Sequence, residues 1–343
     1  MSWYPLVRDV GAEALRWSGW SDPRRRLRGK LSIATFHRVL SDSERAEYPL
    51  PGLAVTPREL SAVLEAVCER FTCTSLANAS ERWAAGDEPE KPLLALTFDD
   101  GQLDNLTRAA PVLDAHGVKA TFFVVSAAAR TGAGLWHDRL AFALGRGRAR
   151  HPETVRALLS ELSPHTADES VDMPALVELA KKSLGTAALR EAWIARLEAA
   201  AGEPWRPAWD GMLRFDDLRA LRAAGHEIGS HSLSHPLLPD CSDVELEREV
   251  YESKRELERE CGGAISSFCY PNGSWDSRVL AAVRRAGYGR AVTTEHGWNS
   301  RGAELLALRR CDLSFVHCAD RAGRFSPARL AWRLGRAPSR SAA

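Results

Sequence analysis

The sequence predicts an α/β fold whose parallel sheet is curled into a closed or nearly closed (β/α) barrel. Three observations carry this. From about residue 31, short β-like runs alternate with helical ones. Runs such as "PLLALTF" are apolar throughout, as strands covered on both faces are. The units are also too many for an open sheet in one domain.

The elements follow in order. "KLSIATFH" (Lys30–His37) reads as a strand. "TPRELSAVLEAVCERF" reads as a helix with Thr56 as N-cap and Pro57 at its first position. "PLLALTF" (Pro92–Phe98) is a strand, "LTRAAPVLDAHG" a helix ended by Gly117, and "KATFFVV" (Lys119–Val125) a strand. "FDDLRALRAAGHEIGSHS" gives a helix and then a strand, and "VELEREVYESKRELERECG" a helix. "ISSFCYP", "YGRAVTT" and "ALRRCDLS" are strands, with helix "SRVLAAVRRAG" after the first of them. Residues 136–210 break the rhythm with helical text and no strand. They read as a helical insertion beside the barrel mouth, either a lid or substrate platform or a plain packing subdomain. The expected organisation is an amphipathic, basic segment 1–30, a barrel domain 31–325 and a basic C-terminal tail 326–343.

Composition narrows the function classes. The net charge of +1 gives no reason to expect nucleic acid as a partner. Seven cysteines without a C-x-x-C pair suggest reduced thiols. The N-terminus carries Arg8, Asp9, Glu13 and Arg16 and no signal-peptide core, so a cytoplasmic location is expected. No run is long and apolar enough for a membrane span. Trp3, Tyr4, Leu6, Val7, Val10, Ala14, Leu15 and Trp17 share one helical face. That face can rest on a bilayer, with Arg24–Arg28 meeting lipid phosphates, or pack on the protein's own core.

The chemistry starts at "LALTFDDGQLDN", where a buried strand ends in two adjacent aspartates. Like charges side by side point to a cation. Further ligands stand in "GSHSLSH": His231 and His235 are four apart, which in a helical turn places both imidazoles on one face. Two imidazoles and one carboxylate suit zinc, with cobalt, nickel or ferrous iron as alternatives, and leave coordination positions open as catalytic sites do. Neighbouring residues in extended chain point in different directions. One of Asp99 and Asp100 can therefore bind the ion while the other takes a proton from an activated water. His37, at the end of its strand, is a candidate acid at the same mouth.

The T-F-D-D-G and H-S-x-x-H segments together resemble the NodB-homology polysaccharide deacetylases, carbohydrate esterase family 4, over roughly residues 31–135 and 211–315. The resemblance implies a distorted (β/α) barrel, closed or incomplete, with a helical insertion. It implies Asp99 as catalytic base and Asp100, His231 and His235 as metal ligands. "FCYPNGSWD" resembles the family's third motif, which assigns the backbone N–H of Tyr270 to the oxyanion; Asn272 stands where an aromatic is common. Arg310, next to Arg309, aligns with the arginine that orients the catalytic aspartate. "TFHRV" resembles the rearranged branch of exopolysaccharide de-N-acetylases and favours His37 as the acid over His317 of "FVHC". "LWHDRL" resembles a W-W-D-R-L segment of some exopolysaccharide-locus members: Trp136 would stack on a sugar, and His137 or Asp138 would bind its hydroxyls, unless Trp136 packs inside.

The expected activity is metal-dependent removal of N-acyl groups, foremost acetyl, from the amino sugars of a glycan or its precursor. The alternatives are a non-catalytic glycan-binding protein and an amide hydrolase for small non-sugar substrates. A phosphohydrolase with Asp99 as nucleophile leaves the two histidines unexplained.

Overall fold

The structure is a computed structural model and describes residues 22–163, 172–202 and 206–338. The expected N-terminal amphipathic face, Trp3 to Trp17, lies outside these residues. No helix among the described residues is long and apolar enough to cross a membrane.

The barrel strands are β1 (Leu31–Phe36), β2 (Thr72–Thr74), β3 (Leu93–Phe98), β4 (Thr121–Val124), β5 (Glu227–Ser230), β6 (Ser267–Cys269), β7 (Arg290–His296) and β8 (Leu308–Asp312). All pairings among them are parallel. The order β1-β8-β7-β6-β5-β4-β3 closes on itself because β3 also pairs with β1, from Leu31 opposite Leu93 to Phe36 opposite Phe98. The ring is thus closed, as a (β/α) barrel's is. The short β2 pairs with the first half of β3, whose second half pairs with β4.

β1 and β3 are buried along their whole length. Phe36, Phe98 and Phe122 stack outward beneath the helices at centroid spacings of 5.2 Å. Inside the barrel, Thr35 and Thr97 hydroxyls accept from the buried Arg310 guanidinium. Helix Pro57–Cys68 starts where the sequence places it: Thr56 Oγ1 accepts from Glu59 N–H, and the Glu59 carboxylate accepts from Thr56 N–H.

Within the insertion between β4 and β5 the described residues form four helices, Trp136–Arg150, Pro152–Leu162, Met173–Ser183 and Ala187–Ala201. They share a core of their own that takes in Leu40, Tyr48 and Leu50 from the chain after β1. The third of them turns Pro174, Val177 and Lys181 toward the barrel mouth. The C-terminal segment is not simply a solvated tail. Helix Pro327–Gly335 buries Arg329, Leu330 and Leu334, and Arg26 donates to the Gly335 carbonyl at 2.6 Å.

Candidate active site

The site is assembled from strand ends. His37 follows β1, Asp99 and Asp100 follow β3, His231 follows β5, Tyr270 follows β6, and Arg310 lies within β8. These residues and His235 line one cleft of about 340 Å³ at the C-terminal mouth. Because β1 and β3 run in register, His37 comes beside Asp99, with Nε2 4.0 Å from Asp99 Oδ2.

Arg310 grips Asp99 with both arms: Nη1 donates to Oδ1 and Nη2 to Oδ2, each at 2.7 Å. Burial alone pushes the Asp99 carboxyl up, but the guanidinium reverses this and holds it below its usual range. Asp99 is therefore ionised and fixed in orientation.

Asp100 faces the histidines. Its Oδ1 lies 3.5 Å from His231 Nε2 and 3.7 Å from His235 Nε2. These gaps are long for hydrogen bonds. Two ligands each about 2.1 Å from one zinc ion, at a tetrahedral angle, stand roughly 3.4 Å apart. The ligand atoms of Asp100, His231 and His235 all lie within 4.8 Å of one another. His231 Nδ1 faces the Cys269 carbonyl at 2.8 Å; a carbonyl only accepts, so Nδ1 carries a proton and Nε2 is the atom turned toward Asp100. Burial, and then the neighbouring His231, push His235 well down and keep it neutral, while its Nδ1 is buried without a partner. The donor set fits one borderline divalent ion. A second group, Asp99, His231 and Cys269, is also close enough to share an ion. There Arg310 Nη2 already touches Asp99 and lies 3.3 Å from Cys269 Sγ, and burial pushes the thiol up, so a cation is repelled.

The histidines do not share a helical face. Residues 231–235 form an irregular loop, with Ser232 and His235 at φ of 65° and 61°. The four-residue spacing works through this reversal instead, held by Glu249, whose carboxylate accepts from Leu233 N–H (3.0 Å), Ser234 N–H (2.8 Å) and Ser234 Oγ (2.5 Å). Among the described residues, the non-glycine positions with positive φ are Asp100, Ser232, His235 and Asn272, all at this mouth.

One expectation is corrected, and one open choice is decided. The Tyr270 N–H is already donated to the Val292 carbonyl at 3.1 Å, and the Tyr270 hydroxyl to Leu306. Tyr270 has no backbone donor left for an oxyanion. Among the described residues the neighbouring Asn272, at φ 55° on the cleft wall, has no partner for its N–H. Trp136 is buried in the insertion core with Arg190 over its ring, and Asp138 accepts from Tyr48 and Gln102, so neither faces a sugar. Only His137 of that segment reaches the cleft. His317 pairs with Asp312 at 3.2 Å and does not line the cleft, and Arg309 is paired with Glu295.

Sequence reasoning missed two supports besides Glu249. Asn105 Nδ2 donates to the His37 carbonyl (2.8 Å), and Asp104 takes the Val39 N–H (2.7 Å). Both sit in the quoted "DDGQLDN" string, whose acid and amide content was the available signal.

A parallel barrel that brings three candidate metal ligands and an arginine-held second carboxylate to its C-terminal mouth has the layout of a hydrolase-like (β/α) barrel. This chain belongs to the polysaccharide deacetylase family, which it matches over residues 86–291. A chitooligosaccharide deacetylase of Azorhizobium caulinodans is 34% identical over 70 residues, 20% of this chain and 33% of that protein. The match therefore spans about a third of that relative's length. YxkH of Bacillus subtilis, named for the same family, is 21% identical over 286 residues, 83% of this chain and 72% of that protein. Among solved structures, the Streptococcus pyogenes deacetylase PplD in complex with acetate is 19% identical with a TM-score of 0.59, covering 89% of this chain and 98% of that one. IcaB from Ammonifex degensii is 16% identical with a TM-score of 0.55, covering 89% and 97%. At such identities the likeness is one of fold.

Proposed function

We propose that this protein is a divalent-metal-dependent hydrolase that removes N-acetyl groups from amino sugars of a polysaccharide or glycan precursor. The observation that carries the reading is the pairing at one mouth of an ionised Asp99, held by Arg310, with the separate Asp100–His231–His235 ligand set. A cation held by that set would supply Lewis-acid polarisation of the acyl carbonyl and lower the pKa of a water.

Asp99, locked by Arg310, takes the proton from the attacking water. His37, on the other side of Asp99, gives a proton to the departing sugar amine. The Asn272 N–H faces the position where the carbonyl oxygen gathers charge. Leu50, Leu53, Pro174 and Val177 provide an apolar wall at the mouth. Family membership and the chitooligosaccharide deacetylase relatives support an N-acetylated glycan as substrate. Zinc is the metal we favour, because the set is two imidazoles and one carboxylate.

The test is a pair of variants assayed for free amine released from N-acetylated oligosaccharides and for bound metal. Asp99→Asn should lose turnover by at least about a thousandfold yet keep its metal, and His231→Ala should lose both. Amine release by Asp99→Asn near the wild-type rate, or metal-free wild-type protein after loading, overturns the reading. A wild type that binds metal but releases no amine from acylated sugars, and does so from small acylamides, moves the substrate outside glycans.

A further inference from the structure

We propose that His137, supplied by the helical insertion, is a positioning residue for the metal centre: its Nε2 holds the second oxygen of Asp100 and so couples the insertion to the ion. The inference rests on the metal-site reading above.

Four observations carry it. His137 Nε2 is buried and has no hydrogen-bond partner, a costly state for a polar atom. It stands 3.7 Å from Asp100 Oδ2, whereas the two histidine ligands face the other oxygen, Oδ1. Its ring packs against that of His235 with centroids 5.5 Å apart. It is also 3.8 Å from Asp138 Oδ1, and Asp138 is itself held by Tyr48 Oη at 2.7 Å and Gln102 Nε2 at 2.9 Å.

Those distances divide the labour at Asp100. The carboxylate has two oxygens, and Oδ1 faces the two histidines with which it would share an ion. If the other is unheld, the group can rotate and chelate with both, which spreads the ion's charge and removes an open position. An imidazole N–H that closes the 3.7 Å gap to Oδ2 would prevent this. His137 does not join the ligand set itself: the group within mutual ligand distance contains Asp100, His231 and His235 without it. A partner to a ligand of this kind typically changes metal affinity by 10–100-fold when removed.

The test uses the full chain and zinc or cobalt(II) alone. We expect His137→Ala to weaken zinc binding by at least tenfold in a chelator competition. We expect its cobalt(II) absorption bands at saturation to keep the wild-type positions and intensity, because the three ligands remain. His137→Gln, whose amide can donate to Oδ2, should recover a substantial part of the affinity. Circular dichroism and thermal unfolding of the metal-free variants should match the wild type. Zinc affinity within twofold of wild type in His137→Ala overturns the inference, and so does an altered cobalt spectrum at saturation, which would make His137 a ligand. Should His137→Ala fail to fold, the glutamine variant alone decides: affinity no better than that of a folded His137→Phe protein overturns it. Absence of metal binding by the wild type would instead sink the function reading.

Discussion

At the scale of single residues, Asp99 and Arg310 are the most tightly coupled pair in the site. Both are buried, and their two hydrogen bonds are charge-assisted. Arg310 leaves Asp99 with a folded-state pKa below its unfolded one, despite burial. Its stabilising contribution is thus complete above about pH 4 and fades as pH falls through the folded value. Arg310→Met leaves a buried carboxylate unpaired, so we expect a loss of about 3–5 kcal/mol at neutral pH, read by urea unfolding. The loss should shrink on acidification toward about pH 4, where the stranded carboxyl gains its proton. Adding Asp99→Asn to Arg310→Met should return part of the stability, since a neutral amide needs no counter-ion. A pH-independent loss, or strictly additive effects, would contradict this account. Asp99 and Asp100 were legible in the sequence because two carboxylates at the end of a buried strand demand a cation. Tyr270 was misassigned because whether an N–H is free depends on its neighbour across the sheet, here Val292, which local sequence does not reveal.

At the scale of elements, the turn after β6 carries the clearest constraint. Gly273 sits at φ 68°, and a Cβ there would collide with Thr294 Oγ1 and come within 2.6 Å of Thr294 N. A backbone atom cannot rotate away, so the turn must move, and Asn272 moves with it. We expect Gly273→Ala to lower stability by roughly 2–4 kcal/mol and to cut amine release at least about tenfold. Thermal unfolding and the amine assay check both, and an unchanged rate would separate Asn272 from the chemistry. The helices were largely readable from caps and period, as with Thr56 and Pro57. Strand β2 was not: its three residues are only half-buried and its pairing is borrowed from β3. The histidine loop was read as a helical turn because i,i+4 spacing is a helical signal. Its real shape depends on Glu249, in a π-helical turn at Arg248–Glu252, a local irregularity of the kind often kept where a site needs it.

At the scale of the molecule, barrel and insertion have separate cores joined by a buried ionic cluster around Arg38. Arg38 Nη2 meets Asp104 at 2.8 Å on the barrel side, and Nη1 meets Asp210 at 2.5 Å on the insertion side. Arg206 holds the other oxygen of Asp210 at 2.5 Å, and Asp138 lies 3.9 Å from Arg38. The insertion could be recognised in sequence by its missing strands. Its fastening could not, since Asp104, Asp138 and Asp210 are distant in the chain from Arg38 and nothing local in the sequence pairs them with it. Arg38→Met keeps the aliphatic stem but takes away the guanidinium that Asp104, Asp138 and Asp210 share, leaving Arg206 paired with Asp210. The mutual repulsion falls on the joint between the two cores, not within either, so the joint should open before the barrel unfolds. We expect limited proteolysis of Arg38→Met to cut between residues 136 and 201 at least about ten times faster than in the wild type, a shift of roughly 1.4 kcal/mol in opening. The barrel strands should stay protected from hydrogen exchange. Amine release should fall as well, since Pro174, Val177 and His137 leave the mouth together. Cleavage at the wild-type rate, or equal cleavage throughout the barrel, would show that Arg38 does not fasten the insertion.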